Sequence, residues 1–356
     1  MFNNFHGFHL VEELHKRNLE RAAKRLNSKF FKILLAIAAT LTIWLLPAES
    51  FGMANLTVVE QRIIGVFVFA TLMWLMEAIP AWTTSLIVVV LLLFMVSTSA
   101  LTPFVGGYEA DQLGVILKYE DILHCFADPI IMLFIGGFIL AIAATKYGLD
   151  ATIARVLLKP FGTQSRFVML GFIMVTGLFS MFVSNTATAA MMLAFLAPVL
   201  KALPADGKGK IGLALSIPVA ANIGGMATPI GTPPNGIVLK YLNDPAGMNM
   251  NIGFGDWTAF MFPLTILLLF LSWIILLKMF PFKQKTINLE IPDNSQKGWR
   301  TTLVYITFFA TILMWMFDKY LGVKTNAVAM FPVAVFCATG IIDRRDLEQI
   351  NWSVLW

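Results

Sequence analysis

The chain has 356 residues, of which 58% are hydrophobic and only 13% charged; a soluble domain carries roughly 25% charged residues. Most of its surface therefore cannot face water, which argues against a soluble enzyme. The formal net charge of +5 is no sign of nucleic acid, because the cations collect in particular loops, as they do when loop charge sets the orientation of a membrane protein.

Residues 1–29 carry Lys16, Arg17, Arg21, Lys24, Arg25 and Lys29 among Leu10, Leu14 and Leu26. That pattern predicts a basic amphipathic helix on the membrane surface, and it puts the N-terminus in the cytoplasm. A retained span follows at about 30–47 and leads outward to a segment that is acidic or neutral. Spans at about 63–80 and 82–98 go in and out again around a short turn at Pro80. The outer segment that follows holds Glu109, Asp111, Glu120 and Asp121, and Asp128-Pro129 reads as the N-cap and first turn of a span at about 127–145. Lys146, Arg155, Lys159 and Arg166 mark its cytoplasmic end. Cys125 and Cys337 lie far apart in apolar surroundings, so neither a disulfide framework nor a thiolate metal site is available.

The next apolar stretch, Phe167 to Leu200, is interrupted once, at Ser184-Asn185-Thr186, and cations flank both of its ends. Each half has about 17 residues, the lower limit for crossing. This predicts a re-entrant hairpin over about 167–203 with a polar tip. The stretch from Ile211 to about 241 runs outward but contains GGMATPIGTPPNG, Gly224 to Gly236. Paired glycines followed by Pro229, Pro233 and Pro234 cannot continue a uniform helix, so a broken span is expected. A clean span at about 257–277 leads to a cytoplasmic linker over 279–300, and spans at about 301–318 and 325–342 close the chain.

Ala70-Thr71-Leu72-Met73-Trp74, followed by Glu77, resembles Ala310 to Trp315, followed by Asp318. Loop charges send the first of these spans inward and the second outward, as in an inverted-topology repeat. Both acids fall near span ends and read as interfacial. Gly136-Gly137 read as a close helix contact.

Two constellations can carry chemistry. Ser180, Ser184, Asn185 and Thr186 form the first. Thr228, Gly231, Thr232, Pro233, Pro234 and Asn235 form the second. Interrupted helices at membrane depth leave main-chain groups that protein, water or a ligand must satisfy. Carbonyls ending a half-helix suit a hard cation, and amides opening the next suit a carboxylate. Between Phe167 and Leu200, and between Ile211 and Leu239, there is no Asp, Glu, His, Lys or Arg. A proton relay or an intramembrane enzyme would need titratable groups there. An anion held without Lys or Arg calls for a co-bound cation, which favours Na⁺ over H⁺ as the coupling ion.

At these residues the chain resembles the divalent anion–sodium symporter family of dicarboxylate and citrate carriers. Phe126-Ala127-Asp128-Pro129, Leu133 to Phe138 and Ile350-Asn351-Trp352 add to the likeness. The resemblance implies an all-α integral membrane protein with an inverted-repeat, elevator-type fold. It would have scaffold helices over 30–160, a moving half over 161–278 and further scaffold over 301–356. It assigns Ser180, Ser184, Asn185 and Gly231 to a sodium site, and Asn185, Thr186, Thr232 and Pro233 to the carboxylate of a substrate. It also implies a homodimer in the cytoplasmic (inner) membrane, with no organic cofactor, no enzymatic activity and no nucleic-acid partner. The family's second Ser-Asn-Thr and second broken helix do not occur before Trp356. The second repeat is therefore incomplete, and the chain is expected to be the N-terminal portion, or a truncated or split product, of a longer carrier. Sulfate or another inorganic divalent anion is the alternative cargo, and a non-transporting binding subunit the alternative role.

Overall fold

The computed structural model describes residues 28–52, 56–203, 207–287 and 298–355. The surface helix expected over 1–29 lies almost wholly outside the described residues, as does the middle of the linker expected over 279–300. The described residues are mostly helical and contain no strand. Five of the helices are long and apolar enough to cross a membrane: Ser28–Leu45, Val58–Met76, Tyr119–Lys146, Phe254–Met279 and Trp299–Met316. The chain divides into two compact units, residues 1–127 with 352–354, and residues 128–351.

In the first unit, α1 spans Ser28–Leu45, α2 Val58–Met76 and α3 Ala81–Val96, and short helical turns follow up to Ala127. Helix α2 starts five residues earlier than the apolar run suggested. Thr57 caps it, accepting from Glu60 N at 3.4 Å, while Glu60 Oε2 accepts from Thr57 N at 2.9 Å. It ends where Glu77 turns left-handed at φ 47°, and the chain re-enters helix after Pro80. Arg62 is buried within α2. Its Nη1 donates to Met95 O at 3.1 Å and to Phe104 O, and its guanidinium lies 5.5 Å from the Phe104 ring centre and 5.6 Å from that of Tyr108. A charge in a span persists only when saturated in this way, so Arg62 fastens α2 to the end of α3 and to the loop beyond it. Arg62→Met keeps the stem but removes the bonds. It is expected to destabilise this unit by about 2 kcal/mol and to speed amide exchange over residues 97–113; unchanged exchange there would show that the loop is held by something else.

Among its described residues the second unit holds nine helices of ten or more residues, besides shorter turns such as Asp318–Leu321 and Arg344–Leu347. They are α4 Pro129–Lys146, α5 Leu149–Leu158, α6 Ser165–Ser180, α7 Asn185–Ala202, α8 Lys208–Gly224, α9 Pro233–Leu242, α10 Phe254–Met279, α11 Trp299–Met316 and α12 Thr325–Ala338. As the sequence predicted, Asp128 caps α4, accepting from Ile130 N at 2.9 Å with Pro129 in the first turn. Two cores form. Phe172, Ile173, Leu196, Leu213, Ile217 and Leu269 pack α6, α7, α8 and α10 together. Leu140, Phe254, Trp315, Val328 and Phe336 join α4, α10, α11 and α12, with the Phe254 and Trp315 rings stacked at 5.2 Å. Gly136 lets α4 meet α12 closely: a Cβ there would lie 2.2 Å from Ala329 O.

Two expectations change in this unit. The last span is shorter than the predicted 325–342, because the chain turns at Gly340 (φ 63°) and Ile341 N donates back to Phe336 O at 2.9 Å. Asp318 is buried, not interfacial. Its carboxylate accepts from Phe254 N at 2.9 Å, Lys319 N at 2.8 Å and Thr325 Oγ1 at 2.8 Å. These bonds pin the start of α10 to the link between α11 and α12. The tryptophans of the two similar strings make similar bonds. Trp74 Nε1 donates to Ala81 O at 3.4 Å, Trp315 Nε1 to Thr325 O at 3.0 Å, and each acceptor opens the following helix.

Candidate functional site

The site is built where α6 ends and α8 breaks. Small residues let these two backbones touch: a Cβ on Gly224 would sit 2.2 Å from Gly177 O. Three residues beyond Gly177 is Ser180, fully buried, and three before Gly224 is Ala221. This register brings Ser180 Oγ to 2.6 Å from Ala221 O.

The first interruption covers Met181 to Ser184, slightly earlier than the Ser184-Asn185-Thr186 tip expected. The reason is local. Ser184 acts as an N-cap, its hydroxyl accepting from Ala187 N at 3.3 Å, so Asn185 and Thr186 already belong to α7. The Asn185 amide points back at the end of α6. Its Oδ1 lies 2.7 Å from Ser180 Oγ, and the same position is 3.3 Å from Ala221 O and 3.3 Å from Gly231 O. Ser180 has one hydroxyl proton to share between Asn185 Oδ1 and Ala221 O. Three oxygens, Ser180 Oγ, Ala221 O and Gly231 O, thus converge on the Asn185 amide from α6, α8 and the second interruption, and the amide can turn either its oxygen or its nitrogen toward them. Such a cluster suits a hard cation.

The second interruption runs from Gly225 to Thr232, as its glycines and prolines predicted, with Pro233 and Pro234 opening α9. Its freed groups are taken largely by its own side chains. Thr228 Oγ1 donates to Met181 O and accepts from Gly231 N at 3.1 Å. Asn235 Nδ2 donates to Gly225 O and to Thr228 O, both at 2.9 Å. Thr228 and Asn235 therefore hold the broken helix in shape and tie it to the hairpin, so their work is structural.

The sequence-predicted residues separate into groups. Ser180, Asn185 and Gly231 come together. Ser184 spends its hydroxyl on the cap and lines a cavity of about 370 Å³ with Thr145, Lys146, Asp346 and Asn351. Thr186 is exposed, and Thr232 and Pro233 are half-buried directly after Gly231. The larger cavity of the unit, about 780 Å³, is lined by Asp128, Lys240, Asp244, Lys319 and Lys324, and none of the predicted site residues reaches it. Sequence reasoning missed the Ala221 carbonyl, Asn222 and Gly225. A Cβ on Gly225 would lie 2.5 Å from Asn185 Oδ1, and Asn185 Nδ2 donates to Asn222 Oδ1 at 3.2 Å. The available signal was the amide of Asn222 two residues before the Gly224-Gly225 pair, in a helix with no other side-chain amide.

A family model described as citrate transporter matches residues 71–356. The chain belongs to the citrate transporter family. Membership puts it among transporters, not enzymes, and agrees with the resemblance carried by the two interrupted motifs. Relatives include the sodium-dependent dicarboxylate transporter SdcS of Staphylococcus aureus (strain USA300), 31% identical over 324 residues, which are 82% of this chain and 58% of SdcS. The inorganic phosphate transporter PHO87 of Saccharomyces cerevisiae is 28% identical over 300 residues, 83% of this chain and 31% of PHO87. An uncharacterized transporter of Schizosaccharomyces pombe is 28% identical over 302 residues, 83% of this chain and 33% of that protein. This citrate transporter family chain thus spans between about a third and three-fifths of the length of these relatives.

Proposed function

We propose that the chain carries one cation-and-anion half-site of a Na⁺-coupled carrier of di- or tricarboxylates. The observation behind this is the convergence of Ser180 Oγ, Ala221 O and Gly231 O on the Asn185 amide, whose oxygen can join them, at the meeting of two broken helices. Na⁺ would sit among these oxygens. The uncharged surroundings then give the dianion a positive partner that no side chain supplies, so anion binding depends on the cation. Thr186, Thr232 and Pro233, which adjoin Asn185 and Gly231 in sequence, would meet one carboxylate. The printed name of the SdcS relatives, sodium-dependent dicarboxylate transporter, agrees with both partners.

The paired tryptophan bonds of Trp74 and Trp315 support the inverted repeat. On that reading the hairpin and broken helix, within 161–278, move as an elevator against scaffold helices in a homodimer. The carrier sits in the cytoplasmic membrane with its N-terminus inside. The name of the PHO87 relative favours a second cargo, an inorganic divalent anion held by the same oxygens and amides.

Reconstituted in proteoliposomes, the protein is expected to accumulate succinate in proportion to an inward Na⁺ gradient. Collapsing the pH gradient should have no effect. Succinate uptake that persists without Na⁺, or that disappears only with the pH gradient, contradicts Na⁺ coupling. Na⁺-driven uptake of phosphate but not succinate selects the second cargo.

A further inference from the structure

Gly225 O, Met226 O and Thr228 O, all in the second interruption, accept hydrogen bonds from side chains. Asn235 serves the first and the last from within the same broken helix. Met226 O is different. Its donor is Trp257 Nε1, at 3.2 Å, on α10, outside both the hairpin and the broken helix. A carbonyl released from a helix at membrane depth has no water to turn to, so the indole N–H supplies the bond that the break removed.

The residue before Met226 is the one that meets the oxygen cluster. A Cβ on Gly225 would lie 2.5 Å from Asn185 Oδ1, and a Cβ on Gly231 would lie 2.4 Å from Gly225 O. Gly225 is therefore wedged between the Asn185 amide on α7 and Gly231 at the far end of its own turn. A hold on Met226 fixes where that wedge sits. Trp257 in turn has a firm base. Three residues before it, Phe254 N donates to the buried Asp318 carboxylate at 2.9 Å, and the Phe254 ring stacks on Trp315 at 5.2 Å.

We propose that Trp257 is a positioning residue for the cation cluster: its indole N–H anchors Met226 O and so sets Gly225 against the Asn185 amide. The inference rests on the Na⁺-coupled reading above and deepens it. Trp257 acts through the main chain and is not a ligand itself. Without the N–H, Met226 O is left to find another donor, and any turn of the main chain at Met226 is passed to Gly225 beside it. The Asn185 oxygen then loses the placement that lets it join Ser180 Oγ, Ala221 O and Gly231 O.

The test uses the purified protein and measures ²²Na⁺ binding beside a thermal melt. Trp257→Phe keeps an aromatic ring and loses the donor; it should weaken Na⁺ binding by about tenfold. Trp273 supplies the control. It is on the same helix, is likewise half-buried, and its Nε1 donates to Arg166 O at 2.8 Å. Arg166 stands at the opposite end of α6 from Ser180, about 20 Å away along the helix. Trp273→Phe should melt earlier than the parent, as Trp257→Phe does, yet bind Na⁺ within about threefold of it. Benzothienylalanine at position 257 keeps the shape of the indole without its N–H and should bind Na⁺ as weakly as Trp257→Phe. Fluorotryptophan at the same position keeps the N–H and should bind as the parent does. Should Trp257→Phe fail to fold, these two replacements decide alone. Parent-like Na⁺ affinity without the N–H, or an equal loss in Trp257→Phe and Trp273→Phe, would overturn the positioning role and leave the cation site standing. A parent that binds no Na⁺ would overturn the coupled reading first and this inference with it.

Discussion

Gly225→Ala is expected to weaken Na⁺ binding by about 30-fold, equivalent to about 2 kcal/mol, without lowering the melting temperature. The added Cβ would lie 2.5 Å from Asn185 Oδ1, 3.1 Å from Nδ2 and 3.2 Å from Cγ. Those atoms are the free end of a side chain, so they can move, and moving them disturbs the 2.7 Å contact between Asn185 and Ser180 Oγ. Gly225 itself is right-handed helical, at φ −58° and ψ −16°, and alanine adopts that conformation without strain. The fold therefore survives while the oxygen cluster loses its side-chain carbonyl. Isothermal titration with Na⁺ beside a thermal melt separates the two effects. Unchanged Na⁺ affinity would mean that the Asn185 oxygen is no ligand, and the cluster would have to be reassigned to packing.

Much of this was legible in the sequence, and the exceptions have physical reasons. Apolar runs located the spans. The Gly-Gly and Pro-Pro pairs located the second interruption, because glycine and proline act on the backbone wherever they stand. The first interruption was found but misplaced by a few residues, because Ser184, Asn185 and Thr186 look alike as breakers. Only the cap hydrogen bond to Ala187 N tells which of them ends the loop and which begin the helix. Asn235 was grouped with the site on composition, yet its amide serves Gly225 O and Thr228 O. Ala221 could not have been found at all, since its contribution is a main-chain carbonyl and its side chain carries no chemistry. Asp318 was misjudged for a related reason: its place near a span end was correct, but its burial depends on Phe254, which is remote in sequence. What a residue does to its own backbone can be read from sequence; which distant main-chain atom it meets cannot.

Gly224→Ala tests the contact on which that long-range geometry depends, and it should be strongly destabilising. Its Cβ would lie 2.2 Å from Gly177 O, 2.6 Å from Gly177 Cα and 2.8 Å from Gly177 C. All three are main-chain atoms, so no rotamer change can yield space and α6 must separate from α8. An overpacked core costs typically about 1–3 kcal/mol, and the upper end is expected where only backbone can move. Gly177→Ala, on the other side of the same contact, makes the comparison. Its Cβ would meet Leu269 Cδ1 at 2.6 Å, the end of a flexible side chain that can turn away, so about 1 kcal/mol is expected. The two variants should differ in function as well as stability. Ser180 and Ala221 each lie three residues from the crossing, and separating the helices withdraws Ala221 O from the 2.6 Å contact with Ser180 Oγ. Gly224→Ala should therefore melt earlier and bind Na⁺ poorly even well below its melting point, whereas Gly177→Ala should bind Na⁺ nearly as the parent does. Equal melting of the two variants would show that α6 and α8 do not meet main chain to main chain. The register that gathers Ser180 Oγ, Ala221 O and Gly231 O around the Asn185 amide would then lose its basis.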